Sequence, residues 1–228
     1  MPSLVSIYKS LHADPHLSAA ARVEDKDKIQ DGILQRANGP MLAVLSRVRI
    51  DPNEVDERTA EMTHVIIYIA SSAAIHLPHH VKYDFFLMHH VNSALFYLAI
   101  NKEPWTKQSD KARMLEWKIR MDLLQYVARG CPGISLDAIA TYVPKTGDSS
   151  NTTVRDIGKR LHDFGDDGHA IKGSSTWLSM PSKVQEYYTC EVPGFKKCGR
   201  TFRFSPLQDE VQLSYVLSRL GVVVWKKL

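Results

Sequence analysis

A chain of 228 residues, 44% hydrophobic and 24% charged, has the size and balance of one large globular domain or two small ones. Its net charge of +4 sits at the end, where residues 191–228 hold seven Lys/Arg against three Asp/Glu, so the neutral remainder offers no basic footprint for nucleic acid. No run approaches the roughly 18 apolar residues of a membrane span, the N-terminus lacks a signal-peptide pattern, and three cysteines suit free thiols in a reducing compartment; a cytoplasmic protein is expected, the terminal Lys-Lys-Leu being only a weak match to a peroxisomal ending.

The N-terminal third has broken helical patterning. Residues 3–11 predict a short helix ending near Pro15, and 17–37 and 40–49 predict two more, separated at Gly39-Pro40. Asp51-Pro52 starts a longer helix over 54–76, in which Val55, Met62, Val65, Ile66, Ile69 and Ala73 recur at helical spacing before Pro78 stops it. Residues 84–100 follow, with Asp84 as the cap. At about 100° per residue, His89 shares a face with Phe85, Asn92, Ser93, Phe96 and Ile100. His90 looks toward Phe86, Ala94 and Tyr97, and Leu87, Val91 and Leu98 take the opposite side. Apolar nearly all round, this helix is expected in the middle of the domain.

Residues 109–129 read as a third long helix, capped by Ser109 and stopped by Gly130 and Pro132. Ser135 opens a shorter one to about Tyr142, residues 144–153 form a loop, and 154–164 a further helix. Strand signals are confined to two stretches of the tail, residues 201–204 and 221–225. The expected fold is all-α: an irregular helical bundle over residues 1–180, followed by a divergent, basic C-terminal tail over 181–228.

Six of the ten histidines fall between residues 64 and 90. Imidazole is the commonest metal ligand and a natural base near neutral pH. His76, His79 and His80 surround Pro78 and read as surface-loop histidines. His89 has two readings: a core histidine satisfied by Asn92 or Ser93, or a ligand or catalytic residue. Glu61 and His64 form a Glu-x-x-His step, as on the helices of di-iron bundles. Asp166, Asp167, His169 and Lys172 crowd two carboxylates, an imidazole and an amine into seven residues. A lysine there is either solvated or, in an apolar pocket, a nucleophile or a carbamylated oxygen ligand. Dinucleotide fingerprints, P-loops, nucleophile elbows and zincin motifs are absent from the sequence.

Four segments together resemble one family: SIYKSLHADPHLSAAARVEDKDKIQDGILQRA (6–37), VKYDFFLMHHVNSALF (81–96), KARMLEWKIRMDLLQYVARGCP (111–132) and FGDDGHAIK (164–172). They are similar to the C-terminal half of questin oxidase-like proteins, fungal oxygenases of anthraquinone and related polyketide pathways. The resemblance spans about residues 3–180. It implies a mostly helical enzyme using dioxygen for Baeyer–Villiger-type ring opening or oxidative carbon–carbon cleavage, with NADPH for some members. It also implies non-haem iron, with His89, His169 and Lys172 as candidate ligands and His89 and Lys172 as catalytic candidates. His90 is expected to pack or to support the site, with Asp166 or Asp167 orienting His169. Phe85, Phe86, Phe96 and Tyr97 would line the place of a flat aromatic substrate. The family's N-terminal half is expected to be missing here. The alternatives are therefore an inactive helical fragment that works only by association, as a homo-oligomer or with a full-length homologue, and a di-iron bundle using Glu61.

Overall fold

The computed structural model describes residues 1–79, 81–142 and 159. All regular structure among them is helical, as eight α-helical segments with one π-helical and one 3-10 turn. The all-α expectation is met. The helix expected over 154–164, the two tail strands and the domain boundary at residue 180 lie outside the described residues. The chain divides into two compact units, residues 1–74 with 83–135, and 75–82 with 136–228.

In the first unit, α1 (Leu4–Ala13) starts where the Ser3 side chain accepts the Ser6 N–H, and it buries Leu4, Ile7, Tyr8 and Leu11. The chain does not simply stop near Pro15. The Asp14 carboxylate accepts the N–H groups of His16 and Leu17, and Pro15 at the first helical position opens a further turn, α2 (Pro15–Ser18).

The continuous helix expected over 17–37 is not formed. Residues 19–27 run through turns and bends, because side chains there satisfy the main chain in place of a helical ladder. Lys28 Nζ donates to the carbonyls of Val23 (2.7 Å) and Asp25 (2.9 Å), and Arg36 pairs with Asp25. Asp27 then caps a π-helical turn, Lys28–Ile33, which runs into α3 (Leu34–Arg36). A Cβ on Gly32 would meet Asp25 Oδ2 at 2.9 Å and the Ala21 Cα at 3.2 Å, so only glycine permits this approach. Gly39-Pro40 does not separate helices but lies in the first turn of α4 (Asn38–Leu45), where a missing N–H costs nothing.

Asp51 caps a 3-10 turn, Pro52–Glu54, that leads into α5 (Val55–Ala74). Asp84 caps α6 (Phe85–Lys102) as expected, accepting the N–H groups of Phe86 (3.0 Å) and Leu87 (3.1 Å). In α7 (Gln108–Ala128) the N-cap is Lys107, not Ser109, and no side chain caps it. Gly130, at φ +76°, supplies the left-handed residue that ends α7, and the Cys131 N–H returns to the Tyr126 carbonyl at 3.1 Å.

The centre of this unit is α5, not α6. It packs against α1, α6 and α7, and most of the side chains from Thr59 to Ala74 are buried. Its polarity hides that burial in the sequence. Thr59 and Thr63 return their hydroxyls to the carbonyls of Val55 and Thr59, at 2.7 and 2.8 Å. Ser72 accepts the Ser135 N–H at 2.6 Å and donates to the Gly133 carbonyl at 3.1 Å. By contrast α6 buries only Leu87, Met88, Val91 and Ala94, leaving Phe85, Phe86, His89 and Phe96 exposed.

In the second unit, α8 (Leu136–Thr141) matches the short helix expected after Ser135. His76 and His79 lie on an exposed turn, their rings parallel at 5.5 Å, as expected for a surface loop. The core assignment gives a paired expectation in urea unfolding. Leu123→Ala, fully buried on α7, lowers stability by about 2–5 kcal/mol, whereas Phe96→Ala, on the open face of α6, changes it by about 0.5 kcal/mol or less.

Candidate functional site

His89 and His90 are neighbours in sequence, but the helix turns them into different surroundings. His89 is exposed, its ring edge-on to Phe85 at 4.4 Å, and Phe85 meets Phe86 edge-on at 5.4 Å. Arg129 covers Phe86, its guanidinium 5.3 Å from the ring centroid, while Nε and a terminal nitrogen reach Asp84 Oδ2 at 2.7 and 2.6 Å. The start of α6 thus carries an aromatic face with an imidazole on it, open rather than enclosed.

His90 turns into the seam with α7. Its Nδ1 lies 2.5 Å from Asp122 Oδ1. Lys118, one turn before Asp122, donates to the same oxygen and, at 3.0 Å, to the His90 carbonyl. Ser93 Oγ donates to that carbonyl too, at 2.8 Å. The side chains of Lys118 and Asp122 are 5% and 3% exposed, that of His90 18%, so the charges face each other with little water between them. An ionised carboxylate only accepts hydrogen bonds. The proton between His90 and Asp122 therefore sits on Nδ1, which in the neutral ring leaves Nε2 as the acceptor. A histidine held this way can accept a proton, accept a hydrogen bond, or ligate a metal.

The surroundings record the Asp122 charge. Burial lowers Lys118, opposed by Asp122. Burial raises the phenols of Tyr8 and Tyr97, and the Asp122 charge raises both further. Tyr8 also packs edge-on to Tyr126 at 4.9 Å. Three cations of α7 and its C-terminal cap hold α6 along its length: Arg129 at Asp84, Lys118 at His90, and buried Lys111 at the Asn101 carbonyl, 2.8 Å away.

Of the three candidate ligands, His89 is on this exposed face, and His169 and Lys172 lie outside the described residues. Glu61 is engaged elsewhere: its two oxygens take the Leu4 N–H (2.7 Å) and Arg58 (2.9 Å), tying α5 to the start of α1. His64 is half-buried overall with its Nε2 out of reach of solvent, and desolvation pulls its pKa down to about 3. The buried Cys131 thiol is pushed up to about 12 by burial, with Asp14 adding to it, so it is a poor nucleophile. Among the described residues, no three His, Cys, Asp or Glu side chains come together as a metal site. The described part of the chain therefore does not by itself fit an iron centre.

Lys118 and Asp122 are the functional candidates that sequence reasoning missed. The signal was present: at about 100° per residue they fall in the stripe of Leu115, Ile119 and Tyr126. An i,i+4 charge pair within an apolar stripe is a buried pair, not a solvated one.

A family model described as "Questin oxidase-like" matches residues 1–174. Oxidoreductase AflY of Aspergillus parasiticus is 36% identical over 172 residues, 74% of this chain and 34% of that protein. Questin oxidase of Aspergillus fumigatus is 34% identical over 173 residues, 74% of this chain and 38% of that protein. Baeyer-Villiger oxidase AgnL3 of Paecilomyces divaricatus is 36% identical over 172 residues, 74% of this chain and 37% of that protein. The matched stretch is thus a little over a third of the length of these curated relatives.

The desolvated His64 ring predicts a pH dependence of folding. Its imidazole takes a proton near the ordinary 6.5 when unfolded, but only at about 3 when folded. Between those values the unfolded chain binds the extra proton. The contribution is therefore complete above pH 6.5 and falls away as pH drops toward 3, by up to about 1.4 kcal/mol per unit. Urea titrations of His64→Leu across this range should show a shallower acid slope than those of the native chain.

Proposed function

The chain belongs to the questin oxidase-like family, and we propose that it serves the oxidation of a flat aromatic polyketide, an anthraquinone or related ketone, by dioxygen. Its relatives are named as an oxidoreductase, a questin oxidase and a Baeyer-Villiger oxidase. The observation that carries the proposal is the make-up of α6: exposed Phe85, Phe86 and Phe96 on the helix that also holds His89 and the carboxylate-held His90.

In a Baeyer–Villiger oxidation one atom of dioxygen enters between the carbonyl carbon and its ring neighbour, converting the ketone to a lactone. The other atom leaves as water, using two electrons and a proton from NADPH and one further proton. The exposed rings offer a stacking surface for a polycyclic substrate. His90 supplies an imidazole whose Nε2, in the neutral ring, can accept a proton or a hydrogen bond, with the resulting charge balanced by Asp122. Iron enters the proposal as the group that would activate dioxygen, with His89, His169 and Lys172 as candidate ligands and His89 and Lys172 as catalytic candidates.

A second reading is that the chain works by association. The faces of α6 and α7 that carry Phe96 (67% exposed) and Trp117 (54%) favour it, since large exposed apolar groups mark contact surfaces. The partner would be a second copy or a longer homologue.

The test is to supply the chain with iron(II), NADPH, an anthraquinone and isotopically labelled dioxygen, and to follow oxygen uptake and product mass. The expected result is one labelled oxygen in a lactone and a loss of about 100-fold or more in His90→Ala. No labelled product, with the chain sedimenting as a stable oligomer, would replace the oxygenase by the association reading.

A further inference from the structure

Two buried lysines of α7 face α6, and they do different things. Lys111 donates to the Asn101 carbonyl, near the C-terminal end of α6, and so ties one helix to another. Lys118 reaches a main-chain carbonyl as well, that of His90, but it also holds the carboxylate to which the same histidine's ring is bound. It therefore grips His90 twice, once through its backbone and once through Asp122. Its side chain is 5% exposed, so neither contact is diluted by water. A buried ammonium is costly, but removing it alone would leave the Asp122 carboxylate buried without its cation. The double contact gives a reason for a lysine.

We infer that Lys118 is a positioning residue, fixing Asp122 and the His90 main chain so that the imidazole is held with its proton on Nδ1 and Nε2 as the acceptor. This rests on the assignment of His90 to the oxidation, but the positioning itself is read without turnover. Without Lys118, the Asp122 carboxylate loses its cationic anchor and the ring loses the fixed acceptor that selects its tautomer. The loss should appear at His90 and not along the rest of α6.

The experiment is long-range proton–nitrogen NMR of the full chain with labelled histidine at one fixed pH, the His90 signal being assigned by its loss in His90→Gln. The native chain should show His90 with a protonated Nδ1 and an unprotonated Nε2. In Lys118→Met this pattern should give way to averaged shifts, with kcat down about 10–100-fold and KM little changed. Lys111→Met also removes a buried lysine and a helix tie, and should leave the His90 pattern intact. If Lys118→Met does not fold, Asp122→Asn keeps the shape and the lysine, and should move the proton to Nε2 because the amide can donate to Nδ1. An unchanged His90 pattern in a folded Lys118→Met, or in Asp122→Asn, overturns the inference. A native chain with the expected pattern but no turnover would overturn the oxygenase reading and leave the positioning of His90 standing.

Discussion

Asp122 brings a negative charge into the seam between α6 and α7, and much of the first unit is arranged around neutralising it. A carboxylate taken out of water costs several kcal/mol unless its partners are close and well aimed. Lys118 provides the opposite charge from the preceding turn of the same helix, and His90 provides a ring N–H from the helix opposite. The lysine then has donors left over and places one on the His90 carbonyl. One buried charge thus helps set the spacing of two helices and the orientation of one ring, and it adds to the rise that burial gives the phenols of Tyr8 and Tyr97.

The two faces of α6 follow from the same arrangement. The side turned to α5 and α7 carries Leu87, Met88, Val91 and Ala94, residues of ordinary core size. The other side carries aromatic rings that nothing in ordinary core packing requires to be exposed. Arg129 lies over one of them while bonded to the cap of the helix, which fixes the Phe86 ring edge against Phe85. A preformed row of rings binds a flat molecule with little ordering cost.

Helix existence was legible in the sequence wherever a cap and a period coincided. Asp84 and the run after it gave α6 to within two residues at either end, and Gly130 with Pro132 ended α7. Centrality was not legible. Periodicity measures how apolar a helix is, and α6 is more apolar than α5, yet α5 is the buried one. The threonine and serine hydroxyls that make α5 look polar are satisfied by carbonyls and main-chain N–H groups, so they enter the core at little cost. The break at 19–27 was hidden for a different reason: it depends on Lys28 and Arg36 folding back onto the preceding loop, contacts that no local pattern announces. At the candidate site the histidines drew attention by their number. Asp122 and Lys118 did not, because a lysine four residues from an aspartate is ordinary on a solvated helix. Only the company of Leu115 and Ile119 gives their burial away.

The cationic ties from Arg129 to Asp84, from Lys118 to His90 and from Lys111 to Asn101 run in opposite directions along the two helices, like rungs at fixed heights. A substitution removes one rung and leaves the others in register. An inserted or deleted residue between Asp84 and Asn101 is a different event, since it turns everything beyond it by about 100° and carries the later rungs off the seam together. This pair of helices can therefore diversify by exchange of side chains, but not by change of length.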